Sequence, residues 1–172
     1  MKNAWIETRS GKHFNPLLPD PKLIDIEDIA HALSMICRFT GHCREFYSVA
    51  QHSVLVSERC SPDNQLAGLL HDASEAYLCD VSAPLKPFLP DYKQFEHNLT
   101  LVVLEKFGIS QIPKEVKEID RRLCFTEARD LGFRLDGWGD VKPYERRIWP
   151  WTQDESKKFF LFYFQSLTRN GA

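Results

Sequence analysis

Apolar residues recur at helical spacing along most of the chain, and the breaks in that spacing mark where one helix ends and the next begins. Ahead of the helices, Trp5 to Phe14 alternates loosely around Ser10-Gly11, the pattern of a short hairpin. Asn15 to Pro21 holds three prolines and reads as a loop. Asp25 can cap a helix from Ile26 to about Cys37, with Asp28 in the first turn, where the helix dipole favours an acid. Ser48 can cap a second helix, Val49 to about Cys60, and Asp63 a third, Asn64 to about Leu78. A proline-rich connector, Ser82 to Pro90, leads into a fourth helix from about Asp91 to Phe107, stopped by Gly108. Pro113 suits the first turn of a fifth, which runs to Leu131 and ends at Gly132. An irregular stretch rich in glycine, proline and tryptophan covers 132–151. Thr152 and Glu155 then form a T-x-x-E capping box for a last helix reaching Arg169. Its Phe159, Phe160, Phe162, Tyr163 and Phe164 crowd nearly every face, the mark of a helix buried deeply or packed on another subunit.

The expected fold is therefore all-α: a compact bundle of five or six helices with a short N-terminal β-hairpin. One domain spans 1–172, its core at about 24–131 and its C-terminal loop and aromatic helix at 132–172. With 43% hydrophobic residues the chain can bury a real core. Its 22 Lys+Arg against 24 Asp+Glu leave a net charge of -2, which argues against a broad basic face for a nucleic-acid polymer or a membrane surface. No apolar run of about 18 residues and no secretory signal occurs, so a cytoplasmic protein is expected. The five cysteines are odd in number and form no C-x-x-C pair, so free thiols are expected.

Candidate chemistry concentrates in Leu69-Leu70-His71-Asp72-Ala73-Ser74-Glu75-Ala76-Tyr77. His71 and Asp72 are adjacent, and Glu75 falls on the same side of a helix as both. Burying these groups among leucines is costly unless a cation or hydrogen bonds compensate. A second helix offers His52 among Val49, Leu55 and Val56, and another offers Asp120 among Val116, Ile119 and Leu123. Two imidazoles and two carboxylates make a mixed N/O set suited to Zn, Co, Mn, Fe or Mg. His31 reads as a core or interface histidine, and Glu127 as either a partner behind the ligands or a structural ion pair. Arg146-Arg147 reads as solvated or interface charge, and Trp149-Pro150-Trp151 as packing rather than a base-binding platform.

The order His, then His-Asp, then Asp, all on helices, resembles the HD-domain metal-dependent phosphohydrolases. Ser48-Val49-Ala50-Gln51-His52-Ser53 is similar to the first-histidine segment of their nucleotide-cleaving branch. His71-Asp72-Ala73-Ser74-Glu75-Ala76-Tyr77 with Asp80 is similar to its H-D-A-S-E-x-x-x-x-D signature, and Pro84-Leu85-Lys86 to the P-x-K that follows. Asp120, near Glu127, resembles the closing aspartate with its downstream glutamate. The resemblance spans about Ile24 to Leu131, and its motifs are specific as a set.

The resemblance implies that His52, His71, Asp72 and Asp120 bind a divalent metal ion (Zn, Co, Mn or Mg). Glu75 would orient or deprotonate the attacking water, and Asp80 would contact the sugar or assist proton traffic near the leaving group. Arg38 would clamp a phosphate, Lys86 would add a second positive charge, Phe39 would stack on the base, and Tyr77 would join the substrate site. The implied reaction is hydrolysis of a deoxynucleotide. The Trp5 to Lys12 segment and the Asp28 to Ser34 helix resemble those of the small phage-type dATP triphosphohydrolases, which release deoxynucleoside and triphosphate. Phe39 and Gly41 stand where such enzymes place a larger ring and a bulkier aliphatic side chain. Two alternatives remain: a 5'-deoxynucleotidase releasing phosphate from monophosphates, and an HD module that binds a nucleotide without turnover. A homo-oligomer is expected from the aromatic last helix.

Overall fold

The computed structural model describes residues 4–169. Among them, seven α-helical segments follow a two-stranded antiparallel hairpin, so the all-helical expectation and the hairpin both hold. β1 (Ile6–Glu7) pairs with β2 (His13–Phe14), Ile6 opposite Phe14 and Glu7 opposite His13. The hairpin is tied to α1 (Ile26–Met35) by buried Asp28. Asp28 accepts hydrogen bonds from Thr8 Oγ1 (2.9 Å), Ser10 N (2.8 Å) and Ser10 Oγ (2.7 Å). Asp25 caps α1 as predicted, accepting from Glu27 N at 3.0 Å. The helix ends sooner than its pattern, because Ile36 turns extended and Cys37 pairs with Ser48 across the base of the intervening loop.

Ser48 caps α2 (Val49–Ser57), accepting from Gln51 N at 3.0 Å. Every residue of α2 is buried, polar ones included, which makes it the central helix of the bundle. The helix predicted over 64–78 breaks into α3 (Gln65–Leu70) and α4 (Glu75–Leu78). Between them the backbone tightens to three-residue spacing: Ala73 N bonds Leu70 O at 3.1 Å, and Glu75 N bonds Asp72 O at 3.0 Å. Asp63 is not the cap of α3; it lies within a 3-10 turn, Pro62–Asn64, and Asn64 precedes the helix without a capping side chain. α5 (Pro90–Lys106) and α6 (Lys114–Asp130) match their predicted spans to within a residue at most ends, with Pro113 immediately before α6 rather than inside it. Gly132, at φ +95°, ends α6 where an added Cβ would collide with the Arg44 side chain.

The capping box of α7 (Gln153–Arg169) is formed as predicted: Thr152 N donates to Glu155 Oε2 at 2.9 Å, and Glu155 N to Thr152 Oγ1 at 3.2 Å. α7 packs along α1, α2 and α3. Only a stripe of it is buried, led by Phe160 and Ser156, while Phe162 is 65% exposed. The crowding of aromatic residues therefore does not reflect burial on all sides. Two apolar clusters form the core. One holds Ile29, Leu33, Leu69, Leu99 and Phe160; the other holds Tyr47, Val56, Val116 and Leu123. α2 contributes to both, so polar side chains on α2 between the clusters are held in a fixed frame. No helix among the described residues is long and apolar enough to cross a membrane.

Candidate metal centre

α2 brings His52 to the middle of the bundle, fully buried, and the tight turn after α3 points His71 and Asp72 at it. The two imidazoles face each other with Nε2 atoms 3.3 Å apart. Asp72 Oδ2 lies 3.2 Å from His71 Nε2 and 3.6 Å from His52 Nε2. Asp120, on α6, places Oδ1 3.1 Å from His52 Nε2. The other ring nitrogens determine the tautomers. His71 Nδ1 lies 2.8 Å from Gly68 O, and His52 Nδ1 lies 2.6 Å from Glu127 Oε1. Each Nδ1 must donate, so in the neutral rings both Nε2 atoms present lone pairs. Three acceptors, the two Nε2 atoms and Asp72 Oδ2, then converge, with Asp120 Oδ1 beside His52, an arrangement that repels itself unless a positive charge occupies it. His52, His71 and Asp72 hold their ligand atoms within 4.8 Å of one another, a group able to hold a metal ion.

Protonation shows the same demand for positive charge. Burial and the Arg38 charge oppose a proton on His52, but Glu127 and Asp120 outweigh them and raise its pKa to about 9. His71 is likewise raised, against its burial, by Asp72. Burial works against the Asp72 charge, yet His71, His52 and Arg38 hold its pKa far below the usual carboxylate range. Protons and a divalent cation compete for the same Nε2 lone pairs.

A second layer fixes these groups. Glu127, wholly buried on α6, accepts from Tyr47 Oη at 2.7 Å, from His52 Nδ1, and from Arg38 Nε at 3.1 Å. Its pKa is lowered: burial raises it, but Arg38 and His52 prevail. Glu127 is both the partner behind a ligand and the ion-pair partner of Arg38, so its two alternative readings are one arrangement. Its place seven residues after Asp120 on a helix was the signal in the sequence. Tyr47 and Trp138 carried none, because their positions depend on how loops close.

Arg38 directs Nη1 to Asp72 Oδ2 at 3.7 Å, joining the cluster to a cavity of about 530 Å³. Phe39, Asp80 and Trp138 line that cavity with Arg38. Phe39 lies 4.9 Å from the ring of Phe133 and 6.2 Å from that of Trp138. Phe39, Thr40 and Gly41 run through left-handed backbone at φ 54°, 55° and 76°. For a β-branched threonine this is strained and persists only because the surroundings impose it. Burial raises the Asp80 pKa.

His71 and Asp72 themselves line a cavity of about 390 Å³, with Glu75, Glu96, Asp120, Lys86, Lys93 and Lys117. Glu75 is buried on α4, with Oε1 3.7 Å from Lys86 Nζ and Oε2 without a hydrogen-bond partner. Burial, then Asp72 and Asp80, raise its pKa well above the ordinary value. Lys86 is anchored by Glu96 Oε1 at 2.7 Å. The structure thus sets His71, Asp72, Asp120, Glu75 and Lys86 on one cavity and Arg38, Phe39 and Asp80 on another, with His52 buried against His71 and Asp72. Tyr77 is placed apart from them: it is stacked on Phe14, 4.2 Å between ring centroids, and lines a separate recess under the hairpin. Its helical position turns it to the opposite side of the chain from Glu75's cavity.

A helical bundle built round a buried histidine–aspartate group is the class of protein that the fold and the site define. No family model matches the chain. It is 47% identical over 130 residues to the uncharacterized protein YfdR of Escherichia coli (strain K12), covering 75% of this chain and 73% of that protein. It is 34% identical over 153 residues to an uncharacterized protein of Rhodobacter capsulatus, covering 83% of this chain and 78% of that one. The chain belongs to the family of these proteins.

Proposed function

We propose that the chain is a metal-dependent phosphohydrolase of the HD-domain type that cleaves a deoxynucleoside triphosphate, dATP foremost, into deoxynucleoside and triphosphate. The observation that carries this reading is the convergence of the two Nε2 lone pairs with Asp72, with Asp120 beside His52 and the Arg38 guanidinium beside Asp72. His52, His71, Asp72 and Asp120 would hold a divalent ion (Zn, Co, Mn or Mg). Such an ion, when bound, supplies Lewis-acid polarisation of a phosphoryl oxygen and makes water more acidic.

The protein's own residues account for the rest. Arg38, held straight by Glu127, presents a fixed positive charge to a phosphate oxygen at no reorganisation cost during reaction. Glu75 Oε2, buried and unpartnered, is the proton acceptor for the attacking water. Asp80 lines the cavity on the Arg38 side, where it can meet the sugar and the departing oxygen. Phe39 and Trp138 offer ring faces to the base in the larger cavity. Lys86, Lys93 and Lys117 line the smaller one together with Asp72, Glu75, Glu96 and Asp120, so a chain of phosphates there would draw on the ion as well as on these ammonium groups. Room for phosphates beyond the cluster favours a triphosphate over a monophosphate. The exposed Phe159 and Phe162 of α7 support self-association as a homo-oligomer.

The test is a product analysis. Purified chain with Mn or Co and each dNTP and dNMP in turn is expected to yield inorganic triphosphate from dATP. Orthophosphate from several dNMPs would replace this reading with the nucleotidase one. Nucleotide binding without any product would replace it with a non-catalytic module.

A further inference from the structure

A second recess, of about 430 Å³, shares no lining residue with the cavities beside the histidine–aspartate cluster. One wall comes from the face of α2 bearing Gln51 and Leu55, continued past the helix end by Glu58 and Arg59; the other comes from the segment Arg146 to Trp151. Arg146 and Arg147 form no ion pair within 4 Å among the described residues. Arg59 is held in place by its Nη1 donating to Leu55 O at 2.7 Å, and Glu58, the one acid of the lining, accepts from Tyr163 Oη. With Glu58 Oε2 4.0 Å from Arg59 Nη1, Arg146 and Arg147 leave this spot a positive charge that a chain of net charge -2 does not have as a whole.

The aromatic wall is built rather than incidental. Gln51, almost wholly buried, donates Nε2–H to Trp149 O at 2.8 Å and accepts from Trp151 N at 2.8 Å through Oε1. This pair of bonds fixes the backbone between the two tryptophans to the central helix. The Trp149 ring is nonetheless 67% exposed, with the Arg147 guanidinium 4.6 Å from its centroid. Packing does not account for a tryptophan so anchored and so uncovered, nor for two arginines beside it that have no ion pair among the described residues.

We propose that this recess is a second nucleotide-binding site, with Arg146 and Arg147 holding the phosphates and Trp149 stacking on the base. The chemistry is that of anion pairing by planar guanidinium groups next to a π-face, and the volume lies within the range of small-ligand sites. Because Gln51 precedes His52 on α2, occupancy of the recess bears on the helix that carries a cluster histidine. The site stands independently of the phosphohydrolase reading, since neither metal nor turnover enters its argument.

The test uses the full chain in EDTA, with ADP and inorganic pyrophosphate as probes, read by calorimetry and tryptophan fluorescence. ADP is expected to bind saturably at one site per chain. The double variant Arg146→Ala/Arg147→Ala should weaken both probes by about tenfold or more. Trp149→Ala should weaken ADP and leave pyrophosphate unchanged. Unchanged unfolding midpoints in these exposed-residue variants would show that the effects are local. Absence of saturable ADP binding would overturn the proposal. So would ADP binding left unchanged in the double variant, or capture of a single-stranded oligonucleotide more tightly than ADP.

Discussion

Glu127 ties together three buried groups. It compensates Arg38, fixes the tautomer of His52 and satisfies Tyr47 with one carboxylate. Glu127→Ala would leave the Arg38 guanidinium buried beside two groups that have lost their acceptor. We expect a loss of about 3–5 kcal/mol in urea unfolding, as for other broken buried pairs. An equally stable variant would show that Arg38 escapes to solvent. Glu75 presents the opposite case, since its Oε2 satisfies nothing. Glu75→Gln should fold and keep its metal content, yet lose turnover by about 10²-fold or more. The raised pKa gives the sign of the pH dependence: the carboxyl is protonated at low pH and activity rises as it ionises, well above the ordinary range of glutamate. That acid limb should disappear from whatever activity Glu75→Gln retains. His71, Asp72 and Glu75 were legible in the sequence because ionisable residues among leucines demand an explanation. Trp138 was not, because nothing local distinguishes a tryptophan that lines a cavity from one that fills a core.

At the scale of elements, the close approach of α2 and α3 decides whether His52 and His71 meet. Gly68 makes that approach possible: a Cβ there would lie 2.9 Å from Cys60 Sγ and 3.1 Å from Ser57 Cα. Its carbonyl also receives His71 Nδ1. Gly68→Ala should cost about 1–3 kcal/mol through overpacking and weaken metal binding by moving His71. Loss of stability with metal affinity intact would separate packing from ligand placement. The caps of α1, α2 and α7 were readable because Asp25, Ser48 and the Thr152/Glu155 pair act on backbone within three residues of themselves. The break at His71 was not, since Leu69 to Leu78 holds no proline or glycine. That tightened turn is imposed by what His71 and Asp72 must face, a long-range condition.

For the whole molecule, a cation that binds the folded cluster alone must stabilise the fold by mass action. At a hundredfold excess over Kd the gain is about 2.7 kcal/mol, so Zn or Mn should raise the thermal midpoint of the intact chain by about 5–11 °C. Asp72→Ala should show no such rise; an equal rise would place the ion elsewhere. By itself the sequence determined the helical content, most helix ends, the hairpin and the ionisable residues available for chemistry, because spacing and caps act over a few residues. Only the tertiary structure decided that the Nε2 atoms of His52 and His71 stand 3.3 Å apart and that Glu127 reaches behind His52. It alone turned Tyr77 away from Glu75's cavity and brought Trp138 beside Phe39. These are distances between residues far apart in the chain, fixed by how three helices pack and how their loops close, and no local pattern encodes them.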